Sequence, residues 1–222
     1  MAIPVLIIGK SGSGKSASMK HCVGKDFNLI RVINKPLPFK GEIKGWGTDD
    51  YQTVFRALSS APAKSIIIDD AGYLITNYFM RNHSQKGKGN DVFGLYNTLG
   101  DSFWQLIQHI TQLPSDKIVY VIMHEDVDDT GTIKAKTIGK LLDDKICLEG
   151  MFTIVLRCVN NLSEHKFITQ SDGSAISKSP EGMFEDIEIP NDLAYVDMMI
   201  REYYGIPNEK NITKMEGTED VK

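Results

Sequence analysis

Apolar residues along the chain collect in short blocks bounded by turn-forming residues. Five of them, Ile3–Ile8, Asn28–Ile33, Ser65–Asp69, Lys117–Met123 and Phe152–Cys158, are rich in Ile and Val and do not alternate cleanly. That pattern predicts parallel strands covered on both faces. Between them the spacing becomes helical, over Ala17–Val23, Asp49–Ser59 with Thr48 as cap, Ala71–Phe79 and Val92–Leu113. In the last of these, Phe93, Tyr96, Leu99, Phe103, Leu106, Ile107 and Ile110 recur at three- and four-residue steps and form one apolar face. Gly100 is a point where that helix can break. After Cys158 the pattern predicts an antiparallel hairpin, Glu164–Thr169 and Ala175–Lys178, joined by a turn at Ser171-Asp172-Gly173-Ser174. A final helix is expected over Asn191–Tyr204, with Asn191 as cap and Gly205 at its exit. Strands alternating with helices indicate an α/β three-layer domain over residues 1–206, with 207–222 as a flexible polar tail.

Composition narrows the picture. The chain has 222 residues, 41% of them apolar, too many for a disordered polymer. No apolar run approaches the roughly 20 residues of a membrane-spanning helix, so no membrane partner is expected. Three separated cysteines, Cys22, Cys147 and Cys158, give neither a disulfide framework nor a cysteine zinc site, which suggests a reducing compartment, the cytoplasm. A net charge of −4 excludes a globally basic nucleic-acid binder but leaves room for a local basic groove. Only five arginines are present, and they are scattered.

The most specific signal is Gly9-Lys10-Ser11-Gly12-Ser13-Gly14-Lys15-Ser16, a complete G-x-x-x-x-G-K-[ST] placed between a strand and a helix. Gly9, Gly12 and Gly14 let the backbone curl around phosphate oxygens, with Ser11 and Ser13 on the same curl. The following helix, including Ser18, offers its amides and positive dipole end to the same anion. Lys15 supplies a point charge for the β- and γ-phosphates and Ser16 a hydroxyl for Mg²⁺, so ATP with Mg²⁺ is the expected ligand. A second metal-holding group is expected in Asp69, at the end of the third strand, while Asp70 is placed to deprotonate a water. Taken alone, the Asp-Asp pair reads equally as a helix cap. His124, at the tip of the fourth strand, is a candidate contact for the γ-phosphate or a surface histidine without a role.

This order of strands and motifs resembles the RecA-like branch of P-loop ATPases, and more narrowly the small phage-encoded nucleotide-binding proteins that assist single-strand annealing. The narrower likeness lies in Ile68-Asp69-Asp70-Ala71-Gly72-Tyr73-Leu74, Met123-His124-Glu125, Lys136-Thr137-Ile138-Gly139-Lys140, the stretch Ala175 to Phe184, and Ile189-Pro190-Asn191-Asp192-Leu193. The resemblance implies a sheet of order 5-1-4-3-2, homo-oligomers in a ring or filament with ATP at subunit interfaces, and a cation given in trans by Lys140 or Lys178. It also implies a role in phage DNA recombination or replication, with single-stranded DNA or a single-strand-binding protein as partner. The DNA-facing loops would follow the Asp69 and His124 strands, carrying Arg81, Lys86 and Lys88 in the first and Lys134 and Lys136 in the second. One departure stands out: RecA keeps a catalytic Glu after its second strand, where this chain has Ile33-Asn34-Lys35. The same loop also opens small-molecule kinases and non-hydrolysing loaders of replication proteins, so both remain alternatives. Kinases usually clamp the transferred group with several arginines, and no segment here holds two.

Overall fold

The computed structural model describes residues 1–86, 91–138, 147–161 and 164–207. The expected tail lies outside them apart from Pro207. Strand β1 (Ile3–Gly9) is followed by a 3-10 helix (Ala17–Cys22), then by β2 (Phe27–Arg31), β3 (Gly45–Gly47) and α1 (Tyr51–Ser60). Next come β4 (Ser65–Asp69), α2 (Gly72–Lys86), α3 (Asp91–Gln112), β5 (Ile118–Val127) and β6 (Ile133–Ala135). The chain closes with β7 (Ile154–Asn161), β8 (Glu164–Ile168), β9 (Glu188–Pro190) and α4 (Leu193–Tyr204).

The sheet runs β3-β2-β4-β5-β1-β7-β8-β9, with β6 folded back on β5. Its five central strands are parallel and stand in the expected 5-1-4-3-2 order, with β8 and β9 added antiparallel at one edge. One face is covered by α1, α2 and α3, where Leu99, Phe103, Leu106 and Ile110 meet Ile66, Ile68, Val119 and Val121. The other is covered by the 3-10 helix and α4, where Met19, Cys22, Val196 and Ile200 meet Ile7, Ile67 and Tyr120. Burial on both faces explains why the central strands lack an alternating pattern. Gly9 at the end of β1 stands level with His124 of β5, and Arg31 of β2 level with Asp69 of β4. The tips of four strands therefore converge at one edge, where open α/β sheets bind ligands.

Several local expectations are corrected. The segment Ala175–Lys178 does not pair with β8; Ala175 and Lys178 make single bridges to Ile133 and Val155, and β8 pairs with β9 instead. The helix beginning near Ala71 does not stop at Phe79 but continues to Lys86, because no Gly or Pro interrupts it and His83 stacks on Phe79 one turn back. Asp50, not Thr48, caps α1, and Asp192, not Asn191, caps α4. The segment after the His124 strand is a β5–β6 hairpin rather than an open loop. Gly100 is buried inside an unbroken α3. Gly205 ends α4 with φ 64°, as the turn chemistry predicts.

Candidate functional site

The glycine-rich loop leaves β1 and curls at once, with Gly12 at φ 79° and Gly14 at φ 101°. Gly14 is confined as well as bent: a Cβ there would lie 2.7 Å from the His165 ring. Lys15, 6% exposed, turns back into the curl and donates to the carbonyls of Gly9 and Lys10, both at 2.7 Å. Burial holds its ammonium below the usual lysine range, against the opposing pull of Cys158 and the carboxylates of Asp70 and Asp69. Ser18 donates to the Lys15 carbonyl at 2.6 Å, so its hydroxyl fastens the first turn. Lys10, Ser11 and Gly12 form the exposed crest. The buried Ser13 Oγ has no hydrogen-bond partner among the described residues.

Ser16 and Asp69 lie 53 residues apart in sequence and meet here. The serine hydroxyl stands 3.2 Å from each carboxylate oxygen. Burial of Asp69, reinforced by the neighbouring Asp70, pushes its carboxyl up to about 6 despite Lys35, Ser16 and Lys15. A buried carboxylate with no cation in direct contact among the described residues, beside a hydroxyl, is a hard-oxygen donor pair that suits Mg²⁺. Among the described residues no cluster of three or more His, Cys, Asp or Glu could hold a metal by itself. A cation at this place would therefore complete its shell with phosphate and water, as Mg²⁺ commonly does.

Asp70 adopts a left-handed backbone, φ 60°, and its side chain is not used as a helix cap. Its Oδ2 sits 2.5 Å from Lys35 Nζ and its Oδ1 3.6 Å from His124 Nε2. Burial and the nearby Lys15 lower the His124 imidazole below its ordinary value, so it is a neutral ring near pH 7. Tyr73 meets that ring edge-on, with centroids 6.0 Å apart.

Two side chains hold the loop from the β7–β8 side, with further bonds behind and beside them. Cys158 Sγ and His165 Nδ1 both donate to the Ser13 carbonyl, at 3.0 and 2.8 Å. Asn191 donates to Cys158 Sγ at 3.0 Å. Arg157 grips Glu125 with two bonds, 2.9 and 3.2 Å, beside the crest. None of these was singled out for such a part in sequence. Position explains them afterwards: Ile8 pairs with Arg157, so Cys158 falls level with Gly9.

Of the outlying cations, Lys136 adjoins the site: its amide donates to the His124 carbonyl at 2.7 Å and, in addition to burial, its charge helps lower the imidazole. Arg81 lies on α2 and pairs with Asp49 at 2.6 Å. Lys86 ends that helix. Lys88 and Lys140 lie outside the described residues. Lys134 lies on β6, and Lys136, just beyond it, stands 3.8 Å from Asp126. Lys178 is bonded through its backbone to Val155, in mid-sheet, rather than standing at the ligand edge.

Comparison with known proteins fits this geometry. A family model described as an AAA domain matches residues 1–182. The chain belongs to the AAA-domain family. It is accordingly a P-loop NTPase domain, and the loop at residues 9–16 lies within the matched span. No curated protein compared with this AAA domain matches it. Among solved structures it is similar to the crystal structure of the pilus retraction motor PilT with bound ADP, at 11% identity and a TM-score of 0.39. That match covers 91% of this chain and 53% of the other, so the AAA domain spans about half the length of the motor. No helix among the described residues is long and apolar enough to cross a membrane.

Proposed function

We propose that this AAA domain, residues 1–206, binds ATP with Mg²⁺ and hydrolyses it. The observation that carries the reading is the meeting of Ser16 with both oxygens of a buried Asp69 beside Lys15. Lys15 exchanges its two backbone carbonyls for phosphate oxygens, a charge-assisted and stronger set of bonds. Mg²⁺, when bound, would supply charge neutralisation to the phosphates, and Ser16 and Asp69 are the residues that would hold it. Asp70 is the base. A water oxygen bonds to the γ-phosphorus, the bond from that phosphorus to the bridging oxygen breaks, ADP departs, and the water proton passes to the Asp70 carboxylate. His124, neutral and adjacent, orients the water or the γ-phosphate.

Sheet order supports a direction for the nucleotide. With the γ end assigned to Asp69 at the tip of β4 and Asp70 just beyond it, the nucleoside end points past β1 toward β7, β8 and β9. A cavity of about 610 Å³ opens there, lined by Ala17, His165, Pro190 and Asn191 among others. Its size is within the usual range for small-molecule sites, roughly 300–1,000 Å³.

The finer reading is a RecA-like, phage-encoded switch for DNA recombination or replication, oligomeric, with single-stranded DNA as partner. It is supported by the resemblance in the Asp-Asp and His124 segments and by Lys134 and Lys136 on and beside the hairpin that extends from His124. In that reading Lys140 or Lys178 serves a neighbouring subunit's γ-phosphate. The test is phosphate release from ATP, with and without single-stranded DNA, in the parent and in Asp70→Asn. Expected is turnover in the parent and nucleotide binding without turnover in the variant. Undiminished turnover in Asp70→Asn would move the base elsewhere. Label transfer to a nucleoside would instead establish a kinase.

A further inference from the structure

The segment after β2 carries a lysine into the site from a direction the phosphate loop does not use. The Val32 amide donates to the Asp69 carbonyl at 3.2 Å, which draws the β2 exit alongside the tip of β4. Three residues on, Lys35 reaches over to Asp70, Nζ to Oδ2 2.5 Å. The two partners are unlike each other. Asp70 is almost fully enclosed, its side chain 4% exposed, while the Lys35 side chain is 49% exposed on a flexible four-carbon stem. Burial alone would lower the Lys35 ammonium, but its hydrogen bond to Asp70 and the charges of Asp70 and Asp69 outweigh it and raise it, so it is a firm cation. The aspartate is thus the fixed member and the lysine the movable one.

We propose that Lys35 is the chain's own γ-phosphate contact, an ammonium that rests on Asp70 and moves to the terminal phosphate when a triphosphate fills the loop. The inference rests on the reading of the site as a nucleoside-triphosphate site. Three features carry it. Lys35 faces the same tip as Ser16 and Asp69, because β2 and β4 are adjacent and parallel. Its present partner is the residue assigned as base, so one movement places a cation on the γ-phosphate and uncovers the Asp70 oxygen that the lysine now occupies. A diphosphate, lacking the terminal group, offers Lys35 nothing to exchange for, and the Lys35–Asp70 pair stays closed. Lys35 therefore makes affinity differ between ATP and ADP: only the triphosphate engages both the loop and the lysine.

The test is equilibrium binding of a non-hydrolysable ATP analogue and of ADP, each with Mg²⁺, to the parent, Lys35→Gln and Lys35→Arg. One lost charge-assisted contact predicts that Lys35→Gln binds the analogue about tenfold more weakly and ADP within about twofold of the parent. Lys35→Arg, which keeps the charge, is expected to restore most of the preference. Equal weakening of both nucleotides, or no change in either, overturns the proposal while leaving the nucleotide site standing. A parent that binds neither nucleotide overturns the site assignment itself, and the role of Lys35 with it. Should Lys35→Gln not fold, Lys35→Met and Lys35→Arg supply the same comparison.

Discussion

Strand β4 has a buried polar cluster at each end, and the two are built on opposite plans. At its start Ser65 joins Asp197, Tyr120 and Arg201. The Asp197 carboxylate accepts from the Ser65 hydroxyl, from Tyr120 at 2.9 Å and from Arg201 at 2.7 Å, while Arg201 also donates to Ser65 and to the Asp116 carbonyl. Every strong donor there has an acceptor, and one carboxylate faces one guanidinium. At the strand's other end two carboxylates stand side by side; among the described residues one is bonded only to a hydroxyl at 3.2 Å, and the other meets a solvent-facing lysine and stands 3.6 Å from His124. The first cluster is complete as it stands. In the second, Asp69 has no cation in direct contact among the described residues, a place that a phosphate-bound metal ion would fill. Burial alone thus does not distinguish a structural cluster from a binding one; the completeness of its direct contacts does.

The sharpest way to break the comparison is at the complete end. Asp197→Ala strands the buried Arg201 guanidinium and is expected to destabilise the fold by about 3–5 kcal/mol in a denaturant titration. Nucleotide affinity of the molecules that remain folded should be unchanged. At the other end the ranking reverses. Lys15→Ala is expected to weaken ATP binding about a hundredfold, read by calorimetry, with little movement of the melting transition. A melting shift as large as that of Asp197→Ala would place Lys15 among the structural groups. The smallest effect carries the opposite sign. Asp69→Asn removes a charge that burial disfavours and should stabilise the ligand-free protein by about 1–3 kcal/mol near pH 7, since that carboxyl is held near 6 when folded and near 4 when unfolded. The same variant should lose the strengthening of ATP binding by Mg²⁺. A loss of stability instead would show that Asp69 is held for the fold.

What could be read in advance follows from the range of each interaction. Periodicity located the five central strands, since double-sided burial leaves a continuous apolar run. The phosphate loop was legible because its constraints are local and lie within eight residues. Lys35 appeared in sequence only as a departure from a family pattern; its partner sits across two strands and 35 positions away. His165, Cys158 and Asn191 gave no local signal, because their common target is one carbonyl or sulfur reached through the sheet register. The missed helix extension past Phe79 has a plainer cause: a basic segment with glycines ahead reads as loop, yet the stacking of His83 on Phe79 carries the helix on to Lys86.

The last strand and helix carry a consequence for what counts as one unit of this protein. The AAA family model matches the chain only to residue 182, before β9 and α4 begin. Yet Leu193, Val196 and Ile200 are wholly enclosed against the sheet, Asp197 anchors the start of β4, and Asn191 reaches the sulfur beneath the glycine loop. A fragment trimmed to the recognisable module would present a bare greasy face to water and a nucleotide cradle with one wall removed. The span that the family model matches is therefore shorter than the span that thermodynamics demands.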